Sequence, residues 1–177
     1  MSIKQFNGSY IPQEDRILFC FNTSDKAEYK LWFTRRVTLF ILAATAHLWA
    51  RKFEQTHTPE AAKALTDFQR EAVKGAQVPN QVYEGGAQYP IGASPLLVMD
   101  INCALTKEGV GDKAEDVLSI DFVLPGGASL NLKMGGDTLQ AMCLLLDQMR
   151  QQAVWGELPT AAAPPEESEQ PAAAKLH

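Results

Sequence analysis

Apolar and polar positions alternate strictly at Ile17, Phe19 and Phe21, and again at Ala27, Tyr29, Leu31 and Phe33 after a polar Thr23-Ser24-Asp25-Lys26 turn. A period of two on both sides of a turn predicts a β-hairpin with one buried face. The pattern then changes. Val37, Leu39, Phe40, Ile41, Leu42, Leu48 and Trp49 cover more than one stripe of a helix spanning about residues 35–54, with Thr34 at its N-cap. A helix apolar on several sides is expected to be buried on two, with Phe40 among its packed side chains.

Thr58-Pro59-Glu60 opens a second helix, striped by Ala61, Leu65, Phe68 and Ala72 and stopped at Gly75. Lys63, Asp67, Arg70, Glu71 and Lys74 form opposite-charge pairs on its other face, the pattern of a solvated surface. Residues 76–95 are rich in Gly and Pro and read as a long crossover loop that carries function or covers a sheet edge. Alternation returns from Leu96 to Thr106, at Leu118–Leu124 and at Ala128–Met134, after a charged turn at 107–116 and a Pro125-Gly126-Gly127 turn. Asp137 is expected to cap a last helix reaching about Trp155, striped by Leu139, Met142, Cys143, Leu146 and Met149. Residues 1–16 read as an arm or a short edge strand, residues 17–156 as one domain, and residues 157–177 as a disordered acidic Pro/Ala tail.

Residues 19–34 lie over 120–135 without a gap: Phe21 matches Phe122, Ala27 matches Ala128 and Leu31 matches Leu132. Each hairpin then enters a helix, so 17–54 and 118–155 read as a pseudo-repeat. The expected architecture is α+β, two ββα-type units in the order β-β-α-α-β-β-β-α, with a mainly antiparallel sheet and helices packed on one face. The two copies differ at the strand-to-helix junction, which is Thr34-Arg35-Arg36 in the first and Gly135-Gly136-Asp137 in the second. Cations in a first helical turn oppose the helix dipole at about 0.3–1 kcal/mol each. Either both arginines reach carboxylates of this chain, or they recognise a partner. Alternation sends Lys30 and Trp32 to the outer face of the same strand, with Leu18 and Cys20 across from them.

Charge narrows the partner. The formal net charge is −5, composed of +4 over residues 26–74, −8 over 75–177 and −1 over 1–25. That balance argues against indiscriminate nucleic-acid binding and leaves one basic region. Cys20, Cys103 and Cys143 are odd in number and lie in apolar patterns, as buried thiols of a reducing compartment do. No apolar signal segment follows Met1, and the longest apolar run is too short to span a bilayer, so a cytoplasmic location is expected. In order of elements and acidic balance the chain loosely resembles small bacterial secretion chaperones, a likeness of arrangement that no motif carries.

Enzyme motifs are missing: there is no G-x-S-x-G, P-loop, G-x-G-x-x-G or H-E-x-x-H. His47 and His57 have no evident metal partners, and no metal or cofactor is expected. The residues therefore favour a non-enzymatic cytoplasmic interaction or assembly protein, adaptor or chaperone-like, self-associating or docking a protein through Lys30, Trp32, Arg35 and Arg36. The first alternative is a single-stranded nucleic-acid binder using Lys26, Lys30, Trp32, Arg35 and Arg36. The second is an enzyme with its site in the 76–95 loop.

Overall fold

The computed structural model describes residues 3–54, 58, 60, 61, 63–65, 67, 68, 82–108 and 115–156. The first sheet runs in the order β1 (Ile3–Ile11), β2 (Arg16–Thr23), β3 (Glu28–Thr34) and β4 (Leu96–Leu97). The second runs β5 (Asp100–Glu108), β6 (Glu115–Val123) and β7 (Ser129–Gly135). All neighbours are antiparallel except β3 and β4. Between β4 and β5 the chain passes from one sheet to the other: Val98 N–H donates to Trp32 O at 3.0 Å and Met99 N–H to Val123 O at 2.9 Å.

Helix α1 (Arg35–Glu54) follows β3 directly and α2 (Gly136–Gln152) follows β7. Both pack on the same side as the inward side chains of the strands. There Val37, Ile41 and Leu42 of α1 and Leu139, Met142, Leu146 and Met149 of α2 join Ile17, Phe19, Leu31, Phe33, Ile120, Phe122 and Leu132 in one core. Each helix also reaches the strand that opens the other unit, α1 packing on β5 and α2 on β1. The approach of α2 to β1 is close: a methyl group on Gly8 would lie 3.2 Å from Leu145 Cδ2. A column of rings crosses the core, Phe6 to Phe19 to Phe33 to Phe122, at centroid spacings of 6.3, 4.9 and 5.5 Å.

Residues 101 positions apart, such as Phe19 and Ile120, make the same pairings. Phe19 faces Leu31 and Ile120 faces Leu132. The hairpin turns close with Thr23 N–H on Ala27 O at 3.0 Å and Leu124 N–H on Ala128 O at 2.8 Å. Both turns enter the left-handed region, the first at Lys26 with φ 63° and the second at Gly126 and Gly127 with φ 78° and 80°. Glycine adopts it freely, whereas lysine pays roughly 1 kcal/mol.

Several expectations change. Residues 3–11 form a nine-residue edge strand, β1, so each hairpin is preceded by one more strand. Thr34 Oγ1 accepts from Val37 N–H at 3.4 Å, as an N-cap does. Asp137 is no cap: α2 begins at Gly136 with Gly135 at the N-cap, and Asp137 stands inside the first turn. Two-sided burial of α1 is not found at Phe40, which is 48% exposed. Among the described residues of α1, the face carrying Val37, Thr38, Ile41, Leu42 and Thr45 is the one that is closed. Of the second helix, residues 60, 61, 63–65, 67 and 68 are helical, and Phe68 is 71% exposed rather than on a packed stripe. The rest of that helix, residues 76–81, most of the 107–116 turn and the 157–177 tail lie outside the described residues. Among the described residues no helix is long and apolar enough to cross a membrane.

After α2 the backbone reverses through Val154 at φ 54° and seats Trp155, which is 3% exposed. Its ring meets Tyr10 edge-on at 5.7 Å, and its Nε1–H donates to Asp15 Oδ1 at 2.7 Å. The Tyr10 hydroxyl donates to the same oxygen at 2.9 Å. These bonds, Trp155's first, hold the Asp15 carboxyl below its usual value, and the charge of Arg35 adds to them.

Two outcomes follow. Phe33→Ala should cost about 3–5 kcal/mol in urea unfolding, as large-to-small core changes do. Phe40→Ala should cost less than about 1 kcal/mol, and equal losses for both would contradict this core. Because the Asp15 value is depressed on folding, its contribution is complete above about pH 4 and lost as pH falls through the folded value. Thermal melts of Asp15→Asn should therefore be lower than wild type at neutral pH and converge with it in acid; parallel curves at all pH would exclude the clasp.

Candidate interaction face

Register decides which side chains share the outer face of the first sheet. Leu18 stands opposite Trp32, Cys20 opposite Lys30 and Asn22 opposite Glu28, while Leu97 flanks Trp32 from β4. Alternation points all of them away from the face on which Phe19, Phe21, Leu31 and Phe33 meet the helices. At one end Leu18, Trp32 and Leu97 form an apolar row, each half-buried. Lys30 is the next outward residue of β3, so Lys30 and Trp32 are brought together.

The arginines are not brought together in the same way. Arg36 donates to Met99 O at 2.8 Å and lies 3.9 Å from Asp100, at the start of β5. Arg35 is exposed and its charge acts on Asp15, in the turn between β1 and β2. The two side chains thus serve carboxylates on either side of β3, which offsets their unfavourable place in the first turn of α1. Lys26 is exposed at the hairpin turn, where its carbonyl accepts from Ala87 and Gln88 N–H at 2.9 and 3.2 Å.

The other end of the outer face is covered by the second half of the long loop. Glu28 N–H donates to Gln88 O at 2.8 Å, so the loop runs beside β3 there in a single parallel bridge. Glu28 itself is 4% exposed. Its Oε1 accepts from the Tyr83 hydroxyl at 3.2 Å and its Oε2 from Gly86 N–H at 3.1 Å, and Lys30 Nζ lies 3.9 Å from Oε1. Lys30 is also under the Tyr89 ring, 5.0 Å from its centroid. Asn22 donates to Glu84 O at 2.5 Å and to Gln5 Oε1 at 3.3 Å. Asn22 Oδ1 is buried without a hydrogen-bond partner, a state that costs about 1–3 kcal/mol.

Burial, then the charge of Glu28, raises the Tyr83 hydroxyl above its ordinary value. The same two causes, in that order, raise the Cys20 thiol, with Lys30 opposing. Elsewhere, burial pushes the Cys103 thiol up to about 11, helped by Asp121. These groups keep their protons at neutral pH, and both oxygens of Glu28 are occupied, so the cluster presents a closed network and no free nucleophile. Among the described residues no group of His, Cys, Asp or Glu is arranged to hold a metal ion.

Sequence reasoning placed Lys30 and Trp32 on one face but missed Glu28 as the residue that fastens the loop. Two signals pointed to it: an acid on an outward strand position next to Lys30, and the Gly85-Gly86 pair in the loop. Gly86 has no room for a side chain, since a Cβ there would lie 2.6 Å from Glu28 Cβ and 2.8 Å from Glu28 N and Lys26 O. Comparison with protein-family models, with curated proteins and with solved structures finds no match for this chain.

Proposed function

We propose that this is a non-enzymatic interaction or assembly protein of the cytoplasm that associates with itself or a protein partner through the outer face of its first sheet. The observation that carries this reading is the Leu18–Trp32–Leu97 row, set in direct register across three strands. Trp is enriched among interface anchors, and here its backbone is held on both sides by neighbouring strands. An anchor on a rigid element loses little further freedom on binding. Cys20, Cys103 and Cys143, one buried and two half-buried, form no disulfide with one another, which supports a reducing compartment.

A nucleic-acid role for Lys26, Lys30, Trp32, Arg35 and Arg36 is served less well. Lys30 is engaged by Glu28 and Tyr89, and Arg36 by Met99 and Asp100. Phosphates would have to displace these partners in a chain of net charge −5. An enzymatic site in the 76–95 loop has the closed Glu28 network against it.

Light scattering over a concentration series gives the test. Wild type should show a mass that rises with concentration. Trp32→Ala should weaken the association constant at least about tenfold, equivalent to about 1.4 kcal/mol, while Phe40→Ala leaves it unchanged. Equal association of Trp32→Ala and wild type, with circular dichroism unaltered, would remove the outer face from the interaction. Binding of a labelled single-stranded oligonucleotide with a steep salt slope would favour the nucleic-acid reading instead.

A further inference from the structure

We infer that residues 83–89 form a removable strap, caught by Glu28, that closes the Lys30 end of the outer face and so limits the docking surface proposed around Trp32. The inference about docking rests on that proposal; the strap itself rests on the loop's own contacts.

The strap is held by polar bonds and adds nothing to the core. None of its side chains belongs to the hydrophobic cluster, and Glu84, Gly85, Ala87, Gln88 and Tyr89 are exposed. Its attachments are the Glu28 carboxylate, the Lys26 carbonyl, the Glu28 backbone N–H, the Asn22 and Gln5 amides, the exposed Lys4–Glu84 pair at 3.5 Å and Lys30 against Tyr89. Segments with little apolar burial open at low free energy while the core stays folded.

What lies beneath favours opening as well. Cys20, Asn22, Glu28 and Lys30 would be ordinary solvated residues of an outward sheet face if the strap were lifted. Water would then reach Asn22 Oδ1, which the closed strap leaves without a partner. The left-handed Lys26 is strained in the position where its carbonyl receives the strap, whereas the equivalent turn uses glycine there. Closure therefore depends on a small set of bonds, with Glu28 at their centre accepting on both oxygens. Opening frees Lys30 from Tyr89 and extends the face from the Trp32 row to the hairpin turn, which makes the strap an autoinhibitory element of that surface.

Cys20 reports the state of the strap because it lies under it, only 8% exposed. Full-length protein is reacted with 2,2′-dithiodipyridine, and labelling of Cys20 and Cys103 is followed separately by peptide mass spectrometry. Gly86→Ala blocks closure sterically without altering Glu28, and Glu28→Gln keeps the shape but removes the charged acceptor. Both should speed Cys20 labelling about tenfold or more and leave Cys103 unchanged, and Gly86→Ala should strengthen self-association in light scattering. Cys20 rates equal to wild type in both folded variants would overturn the strap, as would a matching rise at Cys103, which signals general loosening. Faster Cys20 labelling with unchanged association would overturn the autoinhibitory role. If wild type and Gly86→Ala both stay monomeric, the interaction reading falls, and the Cys20 rates still decide the strap.

Discussion

Phe33 stacks on Phe122 across 5.5 Å, and this contact joins the ring column of the first sheet to the core of the second. A three-stranded unit with a single helix cannot close its own apolar face. Here each unit lends its helix to the strand that opens the other, α1 to β5 and α2 to β1, so one core serves both. With α1 and α2 on the inner face, neither of them covers the Leu18–Trp32–Leu97 end of the outer face.

The two units diverge at their ends, and the divergences concern surface roles. The second hairpin turns through Pro125, Gly126 and Gly127, and a Cβ on either glycine would meet none of the described residues within 4 Å. The first turns through a strained Lys26 and supports a loop on its backbone. At β1, Tyr10 is covered by Trp155; at the corresponding place in β5, Leu105 is 42% exposed. Met99 and Phe40 are also open near the start of β5.

The hairpins, both junction helices and the outward placement of Lys30 and Trp32 were legible because alternation and turn chemistry are local signals. Burial of α1 was misread, since hydropathy along a helix does not reveal how many layers will cover it; Phe40 is apolar yet faces out. The length of β1 was understated because Gly8 takes an inward position without a side chain and a register shift between Ile3 and Gln5 breaks the alternation. The fate of Arg35 and Arg36 depended on Asp15 and Asp100, whose approach is tertiary. Glu28 was hidden for the same reason: only the returning loop makes a surface acid into a buried acceptor.

Hydroxyl-radical footprinting of wild-type protein at dilute and high concentration tests the central claim most directly, because it reads each side chain without substitution. Trp32 and Leu18 should lose reactivity as the protein associates, while Phe40 and Met99 keep theirs. Protection of Phe40 and Met99 with Trp32 unchanged would move the interface to the α1–β5 side and contradict the account.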